Sequence, residues 1–74
     1  MDIVSVVKNI VSNKTSIEGI DETTELSSLG LNSIDLVEIT LEIEDVFHID
    51  FTSSEIVGLK TINDVIKLIE RKTK

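Results

Sequence analysis

Several residue types with distinctive chemistry are absent from this 74-residue chain. It has no cysteine, which excludes disulfides and thiolate metal sites, and it has no proline, tryptophan or tyrosine. Its aromatic side chains are two phenylalanines, so the core must be built from isoleucine, valine and leucine. No stretch approaches the roughly eighteen apolar residues of a membrane span, and the N-terminal residues lack the basic region of a secretory signal. We therefore expect one domain over residues 1–74, in the cytoplasm and without membrane insertion.

Basic residues are missing from the long central segment. Residues 15–59 contain no lysine or arginine, although they hold eleven of the fourteen carboxylates, and the formal net charge of the chain is −7. Nucleic acid is a poor partner for such a surface, because phosphate contacts require clustered lysine and arginine. We expect protein partners with basic patches. The simplest alternative is that the acidic surface only keeps a small protein soluble.

Apolar residues recur at helical spacing in three longer segments. The first helix should begin after the N-cap Asp2 and end near Asn13. The second should run from Ser33, behind an asparagine cap, to about His48, and the last should begin after the cap Thr61. These segments contain no strand-like alternation longer than a few residues, so they indicate an all-α protein.

A short helix and a long loop complete the predicted architecture. Thr52 and Glu55 form a capping-box pattern that opens the short helix, and Gly58 is expected at its C′ position. Residues 15–29 show no sustained period and predict a loop between the first two helices. Four apolar side chains should hold this loop against the core: Ile17, Ile20, Leu26 and Leu29. The prediction is a small four-helix bundle with three longer helices and one short helix.

The predicted second helix carries one acidic arc and two apolar strips. The acidic arc consists of Asp35, Glu38, Glu42 and Asp45. The strip expected to face the core consists of Leu36, Ile39, Ile43, Val46 and Phe47. The other strip, on the opposite edge of the acidic arc, consists of Ile34, Val37 and Leu41. Either this helix is buried centrally or part of its apolar surface binds a partner.

Ser33 begins this helix, but the surrounding sequence does not support catalysis. Leu31 and Asp35 occupy the positions that are glycines in a nucleophile elbow. The single histidine, His48, lies at the other end of the helix, about 22 Å away, which is too far for a hydrogen bond. The acidic residues form a stripe rather than a cage, and no calcium-loop pattern is present. We therefore predict neither an enzyme nor a metal site.

Residues 29–39 read LGLNSIDLVEI. This segment resembles the prosthetic-group site of acyl carrier proteins, and the resemblance continues through residues 41–51 and 60–66. It implies a four-helix bundle that is not itself an enzyme, with a 4′-phosphopantetheine arm joined by a phosphodiester to Ser33. It further implies that a separate phosphopantetheinyl transferase installs the arm from coenzyme A. Acyl groups would be held on the thiol of the arm as thioesters.

Two positions depart from the pattern of this family. Asn32 stands where members that serve fatty acid synthesis usually have aspartate, and Thr52 stands where proline is common. Both residues cap helices well, so the fold should be unaffected. Fatty acid biosynthesis is the first hypothesis, and Asn32 leaves open a specialised carrier of polyketide or aminoacyl intermediates. An acidic interaction module whose Ser33 is never modified is a third hypothesis.

The carrier hypothesis assigns two groups of residues. The residues expected to dock basic patches of the transferase and of acyl-processing enzymes are Asp35, Val37, Glu38, Leu41, Glu42 and Asp45. The residues expected to line an acyl pocket are Ile39, Ile43, Phe47, Leu59 and Ile66. The alternatives are a solvated face for the acids, and ordinary core packing for the pocket residues and for the two apolar docking residues. We expect the carrier to be a monomer.

Overall fold

A computed structural model describes residues 2–15 and 18–73. Within those residues the chain forms four α-helices and one turn of 3-10 helix. The α-helices are α1 (Ile3–Ser12), α2 (Ser33–Phe47), α3 (Ser53–Val57) and α4 (Ile62–Lys72), and the 3-10 turn spans Leu26–Leu29. The longest helix has 15 residues, and no helix in the described part of the chain is long and apolar enough to cross a bilayer. The predicted all-α fold, with three longer helices and one short helix, is confirmed.

Each α-helix begins at a polar side chain that accepts a hydrogen bond from the first turn. The caps are Asp2, Asn32, Thr52 and Thr61, as the sequence predicts. In α2, α3 and α4 the side chain of an acidic residue three positions later accepts a hydrogen bond from the backbone N–H of the cap residue, which completes a capping box. Because a side-chain cap contributes about 0.5–2 kcal/mol, these residues fix where each helix starts.

The core is aliphatic and lies where α1 packs against α2 and α4. Its buried apolar side chains are Val7, Ile10, Val11, Leu26, Leu29, Ile39, Ile43, Ile62, Val65, Ile66, Leu68 and Ile69. Both phenylalanines, Phe47 and Phe51, lie half-buried at its edge. Isoleucine, valine and leucine therefore supply the packing, as the lack of aromatic residues requires.

Backbone hydrogen bonds fasten the loop between α1 and α2 to the start of α4. The Leu26 N–H donates to the Lys60 carbonyl at 2.8 Å, and the Ile62 N–H donates to the Thr24 carbonyl at 3.1 Å. Glu25 and Thr61 form an isolated antiparallel bridge at the same place. The loop is therefore held by main-chain pairing, which side-chain patterns did not predict.

Apolar contacts anchor the same loop. Leu26 and Leu29 are buried, and Ile20 is partly buried against the core. These three predicted anchors are confirmed, and the fourth, Ile17, lies outside the described residues. The two leucines belong to the 3-10 turn, so part of this loop has regular structure.

Two local predictions are wrong, those for Val46 and Gly58. Val46 was expected to face the core but is 39% exposed, because the last turn of α2 reaches the edge of the core, where Phe47 is also only half-buried. Gly58 is itself the C-cap of α3 and has a right-handed φ of −78°, rather than lying one position beyond the cap. The end of α2 agrees with the prediction of about His48, because the helix ends at Phe47 and His48 is its C-cap, in the left-handed conformation with a φ of 57°.

Candidate functional site

Ser33 is the first residue of α2, and its side chain is exposed. The neighbouring cap uses other atoms: the Asp35 N–H donates to Asn32 Oδ1 at 2.8 Å, and the Asn32 N–H donates to Asp35 Oδ2 at 3.3 Å. No hydrogen bond joins the Ser33 hydroxyl to another described residue. The capping box therefore orders the start of the helix and leaves this hydroxyl accessible.

The segment that leads into Ser33 is held on the core. The Leu29 side chain is buried, Leu31 is half-buried against the core, and the Thr15 hydroxyl donates to the Leu29 carbonyl at 3.0 Å. Between the two leucines the backbone turns at Gly30, whose φ of 70° favours glycine. Anchoring on both sides of this turn fixes the position from which Ser33 projects.

The surroundings of Ser33 fit a covalently attached phosphodiester. The hydroxyl lies at the positive end of the dipole of a 15-residue helix, where a phosphate anion is favoured. The carboxylate nearest in sequence, Asp35, accepts the N–H of Asn32 and is half-buried in the capping box. The position therefore combines access with favourable electrostatics.

The acidic arc of α2 is partly engaged by other residues. Glu38, Glu42 and Asp45 are exposed, whereas Asp35 is half-buried in the capping box. Lys14 reaches across from the end of α1, with its Nζ 2.8 Å from Glu38 Oε2 and 3.5 Å from Glu42 Oε1. The hydrogen bond to the Glu38 carboxylate raises the pKa of Lys14 above its ordinary value. Local sequence patterns do not predict this contact of Lys14, because it joins residues 24 positions apart.

The second apolar strip of α2 lies on the surface. Ile34 is 67% exposed, Val37 is 46% exposed and Leu41 is 56% exposed. The alternative that Val37 and Leu41 belong to the core is therefore wrong. Three large apolar side chains at helical spacing along the same helix as the exposed acids form the kind of surface that a protein partner covers.

The five predicted pocket residues meet within the core. Ile39, Ile43 and Ile66 are buried, and Phe47 and Leu59 are partly buried against the same cluster. Of these five, only Leu59 also lines the open groove of about 610 Å³ formed by residues of α3, α4 and the segment between them. This arrangement is that of ordinary core packing, and the acyl pocket stays a prediction.

Neither hydrolysis nor metal binding finds support in the described residues. Ser33 and His48 lie at opposite ends of α2, about 22 Å apart at the rise of an α-helix, so His48 cannot act as its base. Within residues 2–15 and 18–73, no three acidic or histidine side chains are grouped as metal ligands.

Comparison with known proteins identifies the family. A family profile described as "Phosphopantetheine attachment site" matches residues 5–69. An acyl carrier protein homolog from Mycoplasmopsis pulmonis is 35% identical over 72 residues, which cover 97% of this chain and 92% of that protein. The chain belongs to the acyl carrier protein family.

Other acyl carrier proteins extend this likeness. The one from Coprothermobacter proteolyticus is 34% identical over 67 residues, covering 86% of this chain and 82% of that protein. The crystal structure of the acyl carrier protein from Thermotoga maritima superposes with a TM-score of 0.81 at 26% identity, over 95% of this chain and 85% of that one.

Family membership settles the general role of the protein. As an acyl carrier protein it is a carrier and not an enzyme, and it bears a covalently attached phosphopantetheine group. Its partners are a phosphopantetheinyl transferase and acyl-processing enzymes. The hypothesis of an acidic module that is never modified is therefore set aside.

Proposed function

We propose that Ser33 bears the phosphopantetheine arm and that this carrier serves fatty acid biosynthesis. The observation that carries the proposal is an accessible hydroxyl at the first position of α2, inside the segment that matches the family. When attached, the arm supplies a thiol that holds acyl groups as thioesters. The protein's own contribution is to hold Ser33 outward and to place its oxygen at the positive end of a helix dipole.

The docking surface proposed for partner enzymes combines the acidic arc with the apolar strip. Glu38, Glu42 and Asp45 present carboxylates to solvent and would meet basic patches on the partners. Val37 and Leu41, both exposed, would supply the apolar contact. An exposed ion pair contributes only about 0.2–1 kcal/mol, so such a surface binds weakly and releases each partner after its reaction. Asp35 belongs to the same predicted set, although its carboxylate already serves the cap of α2.

The proposed shelter for an acyl chain is the part of the core beside α2. Ile39, Ile43 and Ile66 are buried there, with Phe47 and Leu59 at the edge. A core made of aliphatic side chains offers an apolar environment in which each methylene gains about 0.8 kcal/mol. These residues would have to separate to admit the chain, because they now pack against one another.

The attachment site can be tested with a matched pair of serines. Ser33 and Ser53 are both exposed first residues of helices that begin with capping boxes. After incubation with coenzyme A and a phosphopantetheinyl transferase, we expect the mass of the wild type and of Ser53→Ala to rise by one phosphopantetheinyl group. Ser33→Ala should remain unmodified. Modification of Ser33→Ala, or its loss in Ser53→Ala alone, would refute the assignment.

The pathway is a finer proposal, and Asn32 is the observation that favours its alternative. Members of the family in fatty acid synthesis usually have aspartate there, so a specialised polyketide or aminoacyl carrier is the second candidate. The groups carried by the protein purified from its natural host distinguish the two. A series of saturated chains that differ by two carbons supports fatty acid synthesis, whereas an amino acid or a single unusual acid supports the alternative.

The remaining proposals concern the state of the protein. We expect it to act as a monomer in the cytoplasm, with residues 1–74 forming one domain. Light scattering of the purified protein tests the first of these directly, since a dimer would double the mass in solution.

A further inference from the structure

Lys14 stands at the boundary of the segment that lacks basic residues. No lysine or arginine follows it until Lys60, so it is the basic residue that adjoins the acidic stretch from the N-terminal side. Its ammonium group contacts Glu38 and Glu42 together, at 2.8 and 3.5 Å. The Lys14 side chain is 23% exposed, compared with 50% and 46% for the two glutamates. The lysine therefore lies close against α2, while the carboxylates remain open to solvent.

The backbone around Lys14 is fixed on both sides. The Lys14 N–H donates to the Val11 carbonyl at 3.0 Å, just beyond the C-cap Asn13. The next residue, Thr15, donates its hydroxyl to the Leu29 carbonyl at 3.0 Å. The side chain therefore starts from a defined point beside α2, so fewer conformations must be lost to form the ion pairs than for a lysine on a free loop.

We propose that Lys14 is a specificity-determining residue, because it occupies Glu38 and Glu42 in the free carrier and a partner's basic group must displace it to dock. The inference rests on the docking surface proposed above. With Lys14 in place the three side chains carry a net charge of one negative unit instead of two. A partner that relies on these two carboxylates is therefore bound more weakly than the acidic sequence of α2 suggests, whereas one that docks elsewhere is unaffected.

The test measures transfer of the arm by a purified phosphopantetheinyl transferase, with this protein as the varied substrate. In Lys14→Gln we expect the KM for the carrier to fall about two- to fivefold, since the exposed pairs being removed are weak, with kcat unchanged. Lys14→Met, which keeps the length of the mostly covered stem, should behave in the same way. Lys14→Arg, which keeps the charge, should retain the KM of the wild type.

Lys8 provides the matched control for net charge. It lies on α1 and forms no ion pair with a described residue. Lys8→Gln changes the total charge by the same amount as Lys14→Gln, but it frees neither Glu38 nor Glu42. We expect the logarithm of the KM to change less than half as much in Lys8→Gln as in Lys14→Gln. Equal effects of the two variants would mean that net charge is responsible and would overturn the inference.

A double-mutant cycle separates this inference from the proposal on which it rests. Glu38→Gln should raise the KM for the carrier in both backgrounds. The factor of increase should be larger in the Lys14→Gln background than in the wild type, because the Glu38 carboxylate is more available to the partner there. If Glu38→Gln has no effect in either background, the docking surface itself is wrong and the inference falls with it. If Glu38→Gln raises KM equally in both backgrounds, the docking surface stands and the role of Lys14 is refuted.

Discussion

Single residues decide how the chain turns on either side of its helices. Gly30 has a φ of 70° and leads into Ser33, whereas Gly58 ends α3 with a φ of −78°, which any residue can adopt. A Cβ at Gly30 would meet nothing within 4 Å, so the need for glycine there is conformational and not steric. At Gly58 a Cβ would make ordinary contacts of 3.6 Å with backbone oxygens. We therefore expect the same substitution at these two glycines to change the free energy of unfolding differently.

The substitution of alanine for each glycine tests this difference. Gly30→Ala should lower the free energy of unfolding by about 1–2 kcal/mol, because a side chain disfavours the left-handed conformation. Gly58→Ala should be neutral or raise it by about 0.4–1 kcal/mol, since alanine restricts the unfolded chain. Urea denaturation of both variants and the wild type measures the effect. Equal destabilisation by both would show that the backbone conformation is not the cause.

Residue-level features varied in how far the sequence could predict them. The cap residues could be predicted, because capping depends on neighbours within three positions. The left-handed His48 could not, since nothing in its local sequence requires a non-glycine residue to end α2 in this way. The contact of Lys14 with Glu38 could not be predicted either, because it depends on how α1 packs beside α2. Ser33 was identified from its flanking segment and not from its own chemistry.

At the scale of elements, α4 is organised around the carboxylate of Asp64. Asp64 Oδ2 accepts the backbone N–H groups of Thr61 and Lys60, each at 3.1 Å. These hydrogen bonds, that of Thr61 foremost, lower the pKa of Asp64 below its ordinary value. Lys60 and Thr61 also adjoin the loop that leads toward Ser33, since the Lys60 carbonyl accepts a hydrogen bond from the Leu26 N–H. Asp64 therefore helps hold the start of α4 where the loop is fastened.

Asp64→Asn should weaken this arrangement in a pH-dependent manner. Because the folded protein lowers the pKa of Asp64, the resulting stabilisation is complete above the unfolded value of about 3.9 and is lost as the pH falls through the lower folded value. We expect the variant to be less stable than the wild type at pH 7, with the difference shrinking below pH of about 4. Thermal unfolding over this pH range measures it.

Glu70 supplies the control on the same helix. It is exposed, and its carboxylate accepts no hydrogen bond from a described residue. The stability of Glu70→Gln should therefore stay closer to that of the wild type than the stability of Asp64→Asn does, at each pH in the acid range. A difference between Asp64→Asn and the wild type that stays constant with pH would contradict the assigned role of the Asp64 charge.

The elements themselves were predictable to different degrees. Helical spacing and caps predicted the four helices, because both signals are local. The same spacing placed Val46 in the core, which was wrong because a helical projection does not show where the packed neighbours end. The main-chain bridge of the loop to α4 was missed, since backbone groups leave no pattern in the sequence.

At the scale of the whole molecule, the proposed attachment residue Ser33 is exposed, whereas the core would have to open to admit an acyl chain. The core is closed around Ile39 and Ile43, whereas Ile34, Val37 and Leu41 offer an exposed apolar surface on the same helix. The proposed acyl chain would therefore lie either among the buried residues or along this surface strip. The two possibilities differ in how cargo length affects stability and in which residues matter.

Stability as a function of acyl length tests the proposed pocket. If the acyl chain enters the core, each further methylene raises the free energy of unfolding by at most about 0.8 kcal/mol. We expect carriers loaded with successively longer saturated chains to melt at successively higher temperatures. Leu41→Ala, which shortens the exposed strip, should leave this increase intact. Equal melting temperatures for short and long chains would refute the pocket, and loss of the increase in Leu41→Ala would place the chain on the surface.

The central claim is that the arm is attached at Ser33, and fragment mapping of the modified wild type tests it most directly. The protein is loaded by a phosphopantetheinyl transferase, digested and analysed by mass spectrometry that locates the added group within each fragment. We predict that the group is found on Ser33 and on no other serine, including the exposed helix-opening Ser53. An arm found on any other residue, with Ser33 unmodified, would contradict the account.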